Sequence, residues 1–517
     1  MPRQIQITVA PHEAALPEVL QQKIAAATAT AATALRYRII RRSVDARKRG
    51  HVKILLSIET YAPGEPLPLQ AAEFRFRNVA DAPPVVIVGA GPAGLFAALR
   101  LIELGKKPII IERGKETDRR KRDIALLCRG EGLHPDSNYC FGEGGAGAFS
   151  DGKLYTRANK RGDALRILQL LHHHGADDSI LIDARPHIGS DRLPAIIQEI
   201  RQTIVRCGGE YRFEQKMNGL ILANGQVQGI TTETGEKFCG TATILATGHS
   251  ASDVFELFFR EGYLLEAKPF AAGVRIEHPQ ALINDLLYRR DPHRAFLPPA
   301  AYALTTQVRQ RGVYSFCMCP GGIIVPSATS PDGQVVNGMS ASARRSAFAN
   351  AGIVVEIRPE DTAPFHRCGA LAGLRFRQEM ERLAAIAGGG LQHAPAQRTT
   401  DFVAAKPSTC LPACSYLPGV AASPLHQWLP NHLAQRLQDA FRLFDKKMKG
   451  FLTAESLIAG VESRSSSPVR IPRDSRTMQH PQLKGLYPCG EGSGHAGGIT
   501  SSAMDGIRAA EAIADTP

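Results

Sequence analysis

Residues 85–112 read VVIVGAGPAGLFAALRLIELGKKPIIIE, and this stretch decides the fold. Val85, Val86, Ile87 and Val88 form a short β-branched apolar run, as expected of a strand buried on both faces. Gly89, Ala90, Gly91, Pro92, Ala93 and Gly94 follow in Gly-x-Gly-x-x-Gly spacing. Leu95, Ala98, Leu99 and Ile102 then recur at i, i+3, i+4 and i+7, one face of a helix. Gly105 suits its end, and residues 108–111 form the next strand, closing on Glu112. A lone glycine pattern is weak. Set between strand and helix, with an acid at the following strand end, it marks a dinucleotide-binding βαβ unit. Gly89 makes the tight turn, Gly91 admits a pyrophosphate to the backbone, and Gly94 lets helix and strand pack closely. The helix N-terminus offers free N–H groups to phosphates, and Pro92 costs nothing at its first turn. Glu112 can accept both ribose hydroxyls and would repel a 2′-phosphate, so FAD or NAD is expected rather than NADP. Arg113 beside it is a further candidate contact.

Three later segments favour FAD, bound non-covalently. Residues 244–248, Ile-Leu-Ala-Thr-Gly, run from a strand into a turn at Thr247 and Gly248. They lie downstream of a β-meander that takes in Met217 and turns at Asn224-Gly225. Residues 485–491 form a strand ending in Gly490 and Glu491, and Gly497, Gly498, Ile499 and Thr500 open a final helix. In flavoproteins of the two-dinucleotide-domain type and their relatives, such segments return to the first strand. The acid reaches the ribityl hydroxyls and the helix N-terminus faces the flavin pyrimidine ring. A second glycine-rich loop, FGEGGAGAFSDGK, spans 141–153. Backbone without Cβ atoms can lie flat against a ring or phosphate, so Gly144, Gly145, Ala146, Ser150, Asp151 and Gly152 are expected at the cofactor. Lys153 is a catalytic candidate. No second strand–glycine–helix–acid unit occurs, so NAD(P)H is expected at most as a transient electron donor.

The chain has 517 residues, room for three or four domains at ~150 residues each. Hydrophobic residues make up 44% and charged residues 21%, which excludes collagen, wholesale disorder and a disulfide scaffold. The expected fold is α/β. A discontinuous Rossmann-like FAD-binding domain covers 84–270 and 456–517, around an α+β substrate or cap domain at 271–455. An N-terminal α+β module spans 1–80, with a helix over 24–35 and a βαββ order compatible with a ferredoxin-like unit. Ten unpatterned cysteines point to a reducing compartment. No signal peptide or membrane span is read, so a cytoplasmic location is expected. Net charge is +13, and residues 36–53 hold eight Lys/Arg against one acid. Such a run is either a solvated surface or an RNA-binding face. Oligomeric state cannot be read.

Eight stretches make the sequence resemble the uncharacterised FAD-dependent dehydrogenases of bacteria and plastids. They are 41–50 (RRSVDARKRG), 85–105, 138–157 (NYCFGEGGAGAFSDGKLYTR), 270–284 (FAAGVRIEHPQALIN), 314–327 (YSFCMCPGGIIVPS), 337–355, 460–474 and 485–513. The resemblance implies a flavoprotein oxidoreductase with a small N-terminal domain, a discontinuous FAD domain and a substrate-side domain. It assigns no substrate, and nothing is carried onto CLPAC (410–414).

Other candidates come from chemistry alone. Cys317 and Cys319 stand in C-x-C, the wrong spacing for half of a zinc site, so no metal is expected and the cysteines read as packing residues. His495, between Glu491 and the last helix, can flank the flavin and donate a proton. Arg464 can bind a carboxylate, and Arg275, alternating against apolar neighbours, can point into a cleft. The expected activity is hydride transfer through flavin N5 to or from a small organic substrate. The alternative is an RNA-directed flavoprotein, of the tRNA-modification type, using the basic N-terminal module.

Overall fold

The computed structural model of the protein describes residues 3–48, 50–62, 65, 72–156, 162–289, 291–390 and 392–515. Five parallel strands form the sheet predicted from the opening stretch. Their spatial order is Leu486–Pro488, Ala242–Leu245, Pro84–Val88, Lys107–Ile111 and Glu210–Arg212. Side chains alternate across a strand, so the central strand feeds two cores. Val85 and Ile87 join the helices Pro92–Glu103, Leu193–Arg206 and Ile499–Ala514. Val86 and Val88 face Met217, Val227 and the helix Ser252–Arg260. The last helix can lie against the first because of Gly506, where a Cβ would stand 2.0 Å from the Ala93 carbonyl oxygen. The meander strands Met217–Ala223 and Gln226–Thr232 turn at Asn224 (φ 52°) and Gly225 (φ 72°). Two successive left-handed residues make the type I′ turn that the Asn-Gly pair predicts.

The second layer is a seven-stranded sheet. Phe270–Pro279 and Phe348–Ile357 pair along their whole length near its middle, and Phe270–Pro279 also pairs with Leu457–Glu462. Phe402, Phe441, Phe444 and Phe451 cover one face. The cap expected to end at 455 extends further, because Leu457–Glu462 is an interior strand of this sheet. A boundary near 465 therefore describes the packing better.

The N-terminal strands Arg3–Val9, Lys53–Tyr61 and Arg36–Asp45 form an antiparallel sheet in that order. Its helix runs Pro17–Thr28, earlier than the expected 24–35, because Ala29 turns left-handed at φ 53°. Leu20, Ile24, Ile54, Leu56 and Ile58 make its core. The module is fastened to the rest by Arg42, whose Nε donates to Asp183 Oδ1 at 2.7 Å, and by Val52, whose N–H donates to Asp291 at 2.7 Å. Phe74, Phe76 and Val79 pack instead on the dinucleotide domain, so the expected boundary at 80 moves toward 72. In the basic run, Arg38, Arg42 and Arg47 pair with Glu59, Asp183 and Asp45. Among the described residues, no helix is long and apolar enough to cross a membrane.

Candidate active site

Parallel strands share a direction, so the segments after Val88, Ile111, Leu245 and Pro488 all emerge at one end of the sheet, where open α/β sheets bind ligands. From there a cavity of about 250 Å³ runs to the seven-stranded sheet. Its near wall includes Gly89, Gly91, Pro92, Ala93, Glu112 and Arg113. The second glycine-rich loop adds Gly145, Ala146, Ser150, Asp151, Gly152 and Lys153. Met217, Thr247, Gly248, Glu491, Gly498 and Ile499 complete that side, and Arg464 stands on the far side.

The two glycine loops lie backbone on backbone. Gly144 N–H donates to the Ala90 carbonyl at 2.8 Å, and a Cβ on Gly145 would stand 3.1 Å from Gly91 Cα. Gly89 and Gly94 have no room for a side chain: a Cβ would meet the Ala246 oxygen at 2.5 Å and the Gly89 oxygen at 2.0 Å. Gly248, Gly497 and Gly498 are the opposite case, with nothing within 4 Å of an added Cβ. These open glycines line the cavity and form a cradle that side chains would fill, which fits a flat, elongated cofactor. The residues present therefore suit FAD. Gly91 and the N-terminus of Pro92–Glu103 would hold the pyrophosphate. Buried Glu112 would stand near the ribose, and the 497–499 turn opens the helix that would face the ring.

Electrostatics differ along the cavity. Burial pushes Glu491 up to about 7, against the pull of Lys268. His249 Nδ1 lies 3.5 Å from it, but burial and then the Arg377 and Arg464 charges bring that imidazole down to about 3. The contact is thus not an ion pair at neutral pH. Arg464 spends Nε and one terminal nitrogen on Glu381 at 3.1 and 2.8 Å, while buried Arg377 donates to the His249 carbonyl. Two guanidinium groups against one carboxylate leave this end net positive. Lys153 Nζ lies 3.1 Å from Asp151 and 3.4 Å from Cys319 Sγ. Burial works against its charge, but Cys319 and Asp151 outweigh it and hold its pKa above the ordinary value.

Several expected residues stand elsewhere. Arg275 does not point into a cleft. It is fully buried and bound to Glu462 (2.8 Å), Asn350 (2.8 Å) and Asn337 (3.1 Å). It meets the cavity wall from behind, at Asn337 and Gly338. His495 lies outside this cavity, its Nε2 3.1 Å from the Ile471 carbonyl, and burial followed by Arg473 lowers it to about 4. Thr500 donates to the Leu154 carbonyl at 2.7 Å. Ala90 gives its N–H to Glu112, and Gly490 gives its N–H to Asp505. Gly94 and Gly144 pack against Gly89 and Ile197. These five support the cavity from behind.

The residue reading missed the cap wall: Phe316, Cys317, Asn337, Gly338 and Met339. Cys317, expected to pack in a core, instead faces the cavity from a bulge in Arg311–Cys319, at a left-handed φ of 43°. Their only sequence signal was membership of the resembling stretches at 314–327 and 337–355. No group of three His, Cys, Asp or Glu side chains among the described residues is placed to hold a metal.

Comparison with known proteins matches three stretches of the chain to families. Residues 82–143 match an FAD-binding domain, and 269–465 match the C-terminal domain-like region of FAD-dependent proteins. Residues 1–61 match a domain of unknown function. An uncharacterized protein of Clostridium beijerinckii is 39% identical over 493 residues, spanning 92% of this chain and 91% of its own. The chain belongs to this family of FAD-dependent proteins. Among solved structures, it is similar to the flavin-dependent brominase Bmp2 (15% identity, 84% of this chain and 79% of that one, TM-score 0.37). It is also similar to a geranylgeranyl bacteriochlorophyll reductase-like protein of Thermoplasma acidophilum (12%, 84% and 78%, TM-score 0.35). In this FAD-dependent protein the two matched regions face each other across the cavity. Residues 82–143 supply Gly91, Glu112 and Phe141, and residues 269–465 supply Phe316, Asn337 and Arg464.

Proposed function

We propose that this FAD-dependent oxidoreductase acts on a small organic substrate held between the flavin position and the seven-stranded sheet. The observation that carries this is the continuity of one cavity, from the Gly89 turn to Phe316, Cys317 and Asn337. FAD, when bound, supplies a hydride donor and acceptor at N5. The chain supplies placement and electrostatics. The glycine loops admit the cofactor, and Glu112 fixes their approach. Phe316 and Met339 exclude water from the cap side. Lys153, kept protonated by Asp151, can hold a proton at Nζ or neutralise an oxyanion on the substrate. Arg464, already engaged with Glu381, contributes field rather than a free fork. NAD(P)H fits as a transient donor, because the chain carries one dinucleotide unit.

The test is an anaerobic screen of the purified yellow protein for flavin bleaching against NADH, NADPH and fractionated metabolite pools. Bleaching by one donor and re-oxidation by one organic fraction are expected. A flavin that no donor or fraction reduces overturns the reading.

A further inference from the structure

A second cavity, of about 370 Å³, adjoins the flavin cavity at the 497 turn. Gly497 walls both. The second cavity's lining includes Lys268, Arg470, His495, Ser501 and Asp505. Its charge is lopsided. Asp505 is already spent, receiving two Arg473 nitrogens at 2.6 and 2.9 Å and the Gly490 N–H at 2.8 Å. Among the described residues, no carboxylate stands within ion-pair distance of Lys268. Among the described residues Arg470 pairs with Glu266 alone, 3.5 Å away and half exposed, and its buried Nε has no hydrogen-bond partner. His495 is neutral, lowered by burial and then by Arg473. Two cations thus share a partly buried space with Glu491 and the half-exposed Glu266 as their nearby carboxylates, and a further anion there would be favoured. Burial and then the Arg470 charge push the Lys268 pKa down, against the pull of Glu491.

We infer that this cavity binds an oxyanion group, carboxylate or phosphate, of a molecule whose other end reaches the flavin past Gly497. Arg470 offers a planar fork for bidentate contact and Lys268 a point charge. Ser501 holds the shared turn, accepting the Gly497 N–H at 3.1 Å and donating to the Gly498 carbonyl at 3.2 Å. An anion seated here would stand next to the N-terminus of Ile499–Ala514, which favours negative charge. The inference rests on the flavin placement proposed above. The two sources of such an anion are a nucleotide electron donor and an organic-acid substrate.

The experiment uses the full-length FAD-loaded protein and titrates it with pyrophosphate and, separately, succinate. Binding is followed by calorimetry and by perturbation of the flavin spectrum through the shared wall. FAD occupancy is measured in parallel. The wild type is expected to bind at least one of the two. Arg470→Gln and Lys268→Gln should each weaken that binding about tenfold, the loss of roughly one charged hydrogen bond, with FAD content unchanged. Pyrophosphate alone binding assigns the cavity to a nucleotide donor, and succinate alone to an organic acid. No binding of either anion, or equal binding by wild type and both variants, overturns the inference. So does loss of FAD from both variants, which would make the cavity part of the flavin site. Anion binding that persists when no donor bleaches the flavin sinks the redox reading and leaves this one standing.

Discussion

Gly142 donates its backbone N–H to Oε1 of Glu112 at 3.0 Å, joining the second glycine-rich loop to the end of the second strand of the dinucleotide unit. The same carboxylate accepts Gly114 N–H at 2.9 Å and, on its other oxygen, Ala90 N–H at 2.9 Å. One buried acid therefore fixes three turns at once. The contact it would make with a ribose and its part in shaping the cavity are therefore coupled, because the turns it ties form the walls.

Glu112→Ala should weaken FAD binding by about 1–3 kcal/mol, the range for loss of hydrogen bonds to a charged acceptor. Glu112→Gln should weaken it too, since an amide NH2 cannot accept an N–H. Equilibrium dialysis against FAD is the measurement. Unchanged affinity in both variants would remove Glu112 from the ribose.

Arg275 and Glu462 form an ion pair in the cap sheet at 2.8 Å, with both side chains essentially inaccessible. Arg275→Ala should destabilise the fold by about 3–5 kcal/mol, because it strands a buried carboxylate. The double variant Arg275→Met/Glu462→Leu should regain much of that loss. Urea unfolding checks both. A mild effect in the single variant would mean that water reaches Glu462.

Glu277 gives a pH signature. Burial pushes its carboxyl up to about 7, opposed by hydrogen bonds from Ser415. Between the ordinary carboxylate pKa of ~4.3 and about 7, the folded chain holds a proton that the unfolded chain has lost. Stability contributed by Glu277 therefore falls as pH rises through this window. The buried histidines act in the opposite sense there: His174 and His278 are lowered to about 4, mainly by burial. They are common to wild type and variant and cancel in the difference. Glu277→Gln should gain on the wild type by about 1–3 kcal/mol between pH 4.5 and 7.5. A difference that stays flat with pH would show that Glu277 titrates normally.

A chain beginning at residue 72 should still bind FAD, because the core of the N-terminal module is its own and Phe74, Phe76 and Val79 stay with the dinucleotide domain. Purification of the truncated protein with its flavin absorbance is the check. Soluble but colourless protein that takes up no FAD would place the module in the cofactor domain.

The near wall of the cavity was legible because its signals are local. Glycine spacing, one buried strand and an acid at a strand end lie within 28 residues of sequence (85–112). The cap half was not. Arg275 alternates against apolar neighbours, but the strand Phe270–Pro279 is buried on both faces, so pointing away from them leads to Glu462 rather than to a cleft. Cys317 reaches the cavity through a bulge and a left-handed φ, which no periodicity marks. His495 sits between two cofactor segments in sequence, yet Gly494 turns left-handed at φ 78°, and the histidine lies against Ile471. The Arg464 pairing with Glu381 spans 83 positions, beyond any local pattern.

The sharpest check on the flavin position is Gly498. Its φ of 142° lies in the region L side chains rarely adopt, and an added Cβ meets nothing within 4 Å. Gly235, in an exposed turn, is its match: φ 86° and the same open space. Valine at either position carries backbone strain of about 1–2 kcal/mol. Only at Gly498 would the side chain enter the cavity, at the N-terminus of Ile499–Ala514. That terminus carries unpaired N–H donors and about half a positive charge, so it would favour negative charge on the adjacent edge of the ring. Gly498→Val should therefore lose FAD, or lower the reduction potential of the holoprotein that survives, while Gly235→Val keeps both with a similar loss in Tm. Measuring FAD occupancy, potential and Tm for the pair separates strain from contact. If the two variants match in all three, the 497–499 turn is not at the flavin, and the helix behind it has no part in tuning the cofactor.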